Sequence, residues 1–190
     1  MFIQTAETPN PQTLKFIPGK EVLGDKTAFF TNASEAEKSP LAKALFEIND
    51  VRAVFFGADF ITATKSEEAS WDVLKPKILT TVMEHYVSNQ PIMDEPEKDK
   101  VKPGKAEDYS GDTQQIVDQI IELIDTRVRP AVAMDGGDII FHSYDEGVVR
   151  LEMHGACSGC PSSTMTLKQG IENMLKHYVP EVKQVEPVAQ

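Results

Sequence analysis

At 190 residues, 41% hydrophobic and 26% charged, the chain has the size and composition of one large or two small globular domains. Thirty acidic residues against 19 Lys and Arg give a net charge of −11. That field repels phosphate and argues against nucleic acid or an anionic membrane surface as partners. No apolar run reaches the roughly 18 residues that a membrane-spanning helix needs.

The opening segment, MFIQTAETPNPQTLKF, lacks both a basic stretch leading into an apolar one and an Arg-rich amphipathic pattern. It reads as neither a signal nor a transit peptide. Two cysteines are too few for a disulfide framework, so a reducing compartment is expected. The simplest such compartment is bacterial cytoplasm, with a processed organellar form as the alternative.

In chain order, Phe2–Ala6 and Thr13–Ile17 are candidate strands joined by the turn-rich ETPNPQ. A helix follows in SPLAKALFEIND, where Ser39 can cap, Pro40 suits the first helical position, and Leu41, Leu45 and Ile48 repeat at helical spacing. VRAVFFGADFITATK reads as a hairpin about Gly57-Ala58-Asp59, with its aromatics in the core. Trp71, Leu74, Ile78 and Val82 mark a second helix to about Val87, with Pro76 predicting a kink or a start after Ser70. The order is ββαββα over residues 1–88.

Residues 89–111 are rich in proline and mixed charge and poor in large apolar side chains. Such a segment cannot offset its ordering entropy by burial, which predicts a flexible linker. Beyond it, residues 112–190 hold −6 of the charge, from 12 acidic and 6 basic side chains. Ile116, Ile120, Ile124 and Val128 form one stripe of a helix that Asp112 can cap and Pro130 is expected to end. Asp135-Gly136-Gly137-Asp138 reads as a tight turn from helix to strand. Two strands then flank Asp145-Glu146-Gly147. In the second, Val149, Leu151 and Met153 alternate with Arg150, Glu152 and His154, which predicts one buried and one solvated face. Leu167, Ile171, Met174, Leu175 and Tyr178 mark another helix, and EVKQVEPV can close as a strand. The order is αββαβ, so the fold class is α+β in two small domains.

Both cysteines, Cys157 and Cys160, lie at the last strand-to-helix junction, in HGACSGCPSSTM. Gly155 and Gly159 allow close backbone approach, and Pro161 suits the first helical position, which puts Cys160 near a helix N-terminus. The dipole there favours thiolate, so an exposed and activated pair is expected. Structural zinc and [4Fe–4S] sites usually take four protein ligands. His154 is a conceivable third, though its place on the polar strand face suggests a solvated side chain. Two chains meeting about a two-fold axis supply four thiols. A redox dithiol of the thioredoxin kind and a pair without function remain open alternatives. Lys168 and Arg150 are cations that could face a bound anion. No catalytic Ser/His/Asp set or phosphate loop is present, so no conventional enzyme is indicated.

The stretches MDGGD and VVRLEMHGACSGCPSSTMTLKQGIENML resemble the C-terminal domain of NifU-like (Nfu-type) iron–sulfur scaffold proteins. FIQTAETPNPQTLKFIPG and SPLAKALFEINDVRAVFFGADFITATK resemble the N-terminal domain that accompanies it in mitochondrial and alphaproteobacterial members. The resemblance covers nearly all the chain except the linker. It implies cluster ligation by Cys157 and Cys160, with a [4Fe–4S] cluster bridged between the protomers of a homodimer. It also implies an upstream assembly donor and apo iron–sulfur proteins as recipients.

Overall fold

The computed structural model describes residues 2–24, 26–94, 104, 108–158 and 161–188, with backbone alone at 161–163. The chain forms two compact units, Met1–Lys98 and Asp99–Gln190, each around its own apolar core. The α+β class expected from the sequence is what the elements build.

In the first unit, β1 (Gln4–Glu7), β2 (Thr13–Ile17), β3 (Ala28–Phe30), β4 (Val51–Phe56) and β5 (Ile61–Lys65) form one antiparallel sheet in the order β1-β2-β5-β4-β3. Strand β3 is an addition to the ββαββα expectation. It is three residues long, too short to show a period, and it is held by pairing with Val54–Phe56 and by the edge-to-face rings of Phe30 and Phe56 at 5.6 Å. The hairpin aromatics Phe55, Phe56 and Phe60 are buried as expected.

Helix α1 (Pro40–Phe46) starts on Ser39, whose Oγ accepts the Ala42 N–H at 3.0 Å. The same hydroxyl donates to the Ile92 carbonyl at 2.6 Å, and Ile92 and Met93 pack against this core. The start of the segment read as a linker is thus laid onto the first unit, while residues 95–103 and 105–107 of it lie outside the described residues. Helix α2 (Trp71–Val87) is capped by Ser70 and runs through Pro76. It turns Leu74, Ile78, Val82 and His85 inward. The indole N–H of Trp71 donates to the Pro11 carbonyl at 3.1 Å.

In the second unit, α3 (Asp112–Leu123) continues through one π-helical stretch, Ile124–Val128, into α4 (Arg129–Met134). Two expectations are corrected here. Asp112 is the first helical residue rather than a side-chain cap, following Gly111 at φ 64°. Pro130 does not end the helix. It sits within the first two positions of α4, just after the widened turn, where a missing N–H and the ring are accommodated.

Strands β6 (Gly137–Asp145) and β7 (Val148–Gly155) pair antiparallel across Glu146-Gly147, both at positive φ. Helix α5 (Pro161–Tyr178) then crosses over to β8 (Gln184–Pro187), which lies parallel to β7. The sheet order is β6-β7-β8. Ile139, Phe141, Val149, Leu151 and Met153 join Ile171, Leu175 and Val179 of the crossover segment in the core.

Candidate metal centre

The cysteine loop begins where β7 stops, at Gly155 with φ 64°. Several hydrogen bonds hold it. The Ala156 N–H donates to the Gly136 carbonyl at 3.1 Å, and the Ser158 N–H donates to that of Gly155 at 3.1 Å. Thr164 Oγ1, on the first turns of α5, donates to the Cys157 carbonyl at 3.0 Å. The loop is therefore tied to the end of its own strand, to the turn before β6 and to the crossover helix.

Cys157 is 6% exposed and belongs to the core. Its sulfur occupies the space above Gly137, the first residue of β6. A Cβ on Gly137 would overlap Cys157 Sγ and come within 2.8 Å of the His154 carbonyl oxygen. The turn Asp135–Asp138 thus does more than reverse the chain, because its second glycine makes the seat for the thiol. Sequence reasoning saw the turn and missed the seat, since nothing local relates positions 137 and 157.

The expectation of an exposed, activated pair is corrected for Cys157. Burial, then the nearby carboxylates of Asp135 and Asp138, push its thiol up to about 12. Cys160 and Gly159 lie outside the described residues, and α5 begins at Pro161 as expected.

His154 is also corrected. It is 7% exposed rather than solvated, and its Nε2 lies 2.8 Å from Glu152 Oε1, with Glu152 itself 9% exposed. Alternation along β7 and the pairing of His154 with Asp138 put its ring on the opposite sheet face from Gly137 and the Cys157 sulfur. It does not complete a ligand set there. Arg150 is engaged near the other end of β7, 3.7 Å from Glu186, and Lys168 on α5 lies near Glu172. Among the described residues, no three His, Cys, Asp or Glu side chains converge as a metal cage.

The cation that pairs with one of the carboxylates near Cys157 is Arg129, which the sequence did not single out. Its Nε and Nη2 bind the two oxygens of Asp138 at 2.8 and 2.9 Å, and Nη1 reaches Asp125 at 3.2 Å. Asp138 is 4% exposed and also accepts the Ile139 N–H. The guanidinium offsets one of the two carboxylates nearest Cys157 and fixes the start of β6. Chemically, the arrangement offers a soft sulfur donor held on a seat and, among the described residues, fewer protein donors than a closed metal site requires.

Residues 3–89 match the family described as scaffold protein Nfu/NifU N terminal, and residues 120–186 match the NifU-like domain. Over 189 residues, 99% of the chain, it is 50% identical to the NFU1 iron-sulfur cluster scaffold homolog, mitochondrial, of Drosophila persimilis. It is 48% identical over the same length to that of Drosophila sechellia. The chain spans 65% of the length of these two relatives. The solution structure of a NifU-like protein from Saccharomyces cerevisiae is 26% identical, with TM-score 0.46, covering 50% of this chain and 87% of that one.

Proposed function

Because the chain belongs to the Nfu/NifU scaffold family, we propose that it is a non-catalytic iron–sulfur scaffold that holds a [4Fe–4S] cluster as cargo through Cys157 and Cys160 and passes it to apoproteins. The observation that carries this reading is the seat at Gly137, which holds one of only two thiols in the chain at a strand-to-helix junction. Two thiols fall short of four ligands, so a second protomer supplies the rest, and the cluster sits at a separable interface. Cargo held there is accessible to thiol exchange with a recipient. An upstream assembly protein is the source.

The residues present fit this cargo. Iron binding itself removes the proton from a coordinating thiol, so a protonated Cys157 in the metal-free protein is compatible with thiolate ligation in the loaded one. The same high proton affinity disfavours the alternative, a dithiol redox protein, because the attacking species in exchange is thiolate. Within this reading, residues 1–88 recognise partners, 89–111 link, and 112–190 carry the cluster. The relatives' names, which say mitochondrial, favour the organellar option over bacterial cytoplasm.

Anaerobic reconstitution tests the proposal. About four irons per dimer are expected, with loss of both cluster and cluster-dependent dimer in Cys157→Ala and in Cys160→Ala. A stable cluster on a strict monomer without added thiols overturns the shared site. Metal-free turnover of a disulfide substrate, without transfer to an apoprotein, establishes the redox alternative instead.

A further inference from the structure

Helix α2 carries apolar side chains on two faces. The inner face is accounted for by Leu74, Ile78 and Val82 in the first core. The outer face carries Val73, Pro76, Thr80, Met83 and Val87, all exposed, with Val73 at 56%, Met83 at 41% and Val87 at 79%. Their spacings alternate three and four residues, which keeps them on one narrow stripe along about 21 Å of helix. The polar atoms within the stripe are already used. Thr80 Oγ1 donates to the Pro76 carbonyl at 3.0 Å, and Pro76 has no N–H to offer. The pattern matches the seam of a helix that packs on a partner helix.

The charges beside the stripe identify the partner. Lys77 and Glu84 are both exposed, flank the same side of it and stand two turns apart. Among the described residues neither takes part in an ion pair. A patch of one sign would call for an oppositely charged protein. One cation and one anion placed symmetrically about the middle of the stripe complement themselves. When two such helices run antiparallel about a two-fold axis, Lys77 meets the partner's Glu84 and Glu84 meets the partner's Lys77. The same operation lays the two ends of the stripe, Val73 and Val87, against each other across the seam.

We propose that the outer face of α2 is a self-association surface for a second copy of this chain, paired as an antiparallel helix seam independent of any metal. One helix pair falls short of the roughly 1,200 Å² of a standard interface. The association is therefore weak, with a dissociation constant on the order of 10–100 µM. Its value to the cluster site rests on the function proposed above. Two chains already joined through their first units hold their cysteine loops at high effective concentration, so cluster sharing becomes a second, intramolecular contact.

The test is sedimentation of the full chain, metal-free and reduced, across a concentration series spanning the expected constant. Wild type is expected to dimerise reversibly. Met83→Glu is expected to abolish the dimer, and Lys77→Glu or Glu84→Lys alone to weaken it about tenfold by setting like charges opposite each other. The double exchange Lys77→Glu with Glu84→Lys is expected to recover nearly all of the affinity. Because every substitution is exposed, circular dichroism should show unchanged folding. A wild type that stays monomeric at all concentrations overturns the proposal. So does a dimer indifferent to Met83→Glu, or single exchanges that the double exchange does not rescue. Failure of the scaffold reading looks different, because it appears as missing cluster binding or transfer, or as disulfide turnover, and not in the sedimentation of the metal-free chain.

Discussion

At the scale of single residues, the governing fact is that Cys157 is a core side chain. From sequence, a cysteine close to a helix start suggests a solvated thiolate. Position 157 departs from that pattern because the space above Gly137, twenty residues away in the chain, admits its sulfur to the interior. His154 departs for a related reason. Alternation assigns it correctly to the face opposite Met153, but that face is not wet at this end of the strand, and Glu152 supplies its partner. The thiol has a consequence for stability. Below its ordinary value of 9.0, folded and unfolded chains both keep it protonated, and it contributes no pH dependence. Above that value the unfolded chain releases the proton while the folded unit does not. Stability of the metal-free second unit therefore falls as pH rises from 9.0 to about 12, by up to about 4 kcal/mol at the upper end. Tyr144, also raised by burial, acts in the same direction. The part due to Cys157 is read as the difference in slope between wild type and Cys157→Ala in denaturant titrations at stepped pH. Equal slopes in the two proteins would show the thiol to be solvated after all.

At the scale of elements, the long helix of the second unit shows what a periodic reading can and cannot recover. The stripe from Ile116 to Val128 was legible, because buried positions recur at helical spacing. Its end was not. Proline normally stops a helix by lacking an N–H and crowding the preceding turn, and here the π-helical stretch just before it absorbs both effects. Continuing the helix to Met134 brings Arg129 round to Asp138, an ion pair that no local pattern announces. Replacing Arg129 by Met leaves a carboxylate that is 4% exposed without its guanidinium. The expected cost is about 2 kcal/mol, below the roughly 3–5 kcal/mol of a fully buried broken pair because the arginine side chain is 37% exposed. Asp138→Asn in the same chain is expected to recover much of it. Amide exchange along β6 and β7 measures both. A single variant as well protected as wild type would mean that water already satisfies Asp138. Strand β3 was illegible for a simpler reason, since three residues cannot display a period of two, and only pairing with β4 defines it.

At the scale of the whole molecule, the two-part organisation could be read from composition, because a charged, proline-rich segment divides two stretches that each contain apolar helices and strands. The structure finds a separate core in each unit. It also draws the ends of the intervening segment onto those cores, which composition could not foretell. Ile92 packs on the first, and Tyr109 packs on the second while accepting the Tyr144 N–H at 2.8 Å. If the cores are energetically separate, damage to one is not felt by the other. Leu175→Ala, at a fully buried position of the second core, is expected to cost that unit about 2–5 kcal/mol, the general order for such truncations. Amide protection in β2, β4 and β5 should stay unchanged. A parallel loss of protection in the first unit would show that the two fold as one.

Trp71 gives this division an optical consequence. It is the only tryptophan in the chain, it belongs to the unit without cysteines, and its indole is tethered to the Pro11 carbonyl. A chromophore bound at the other unit would drain its emission by energy transfer, and the efficiency of that transfer falls steeply with separation. The chain therefore contains its own ruler. Tryptophan lifetime, followed while a coloured cargo arrives and departs, reports the distance between the two halves without a label.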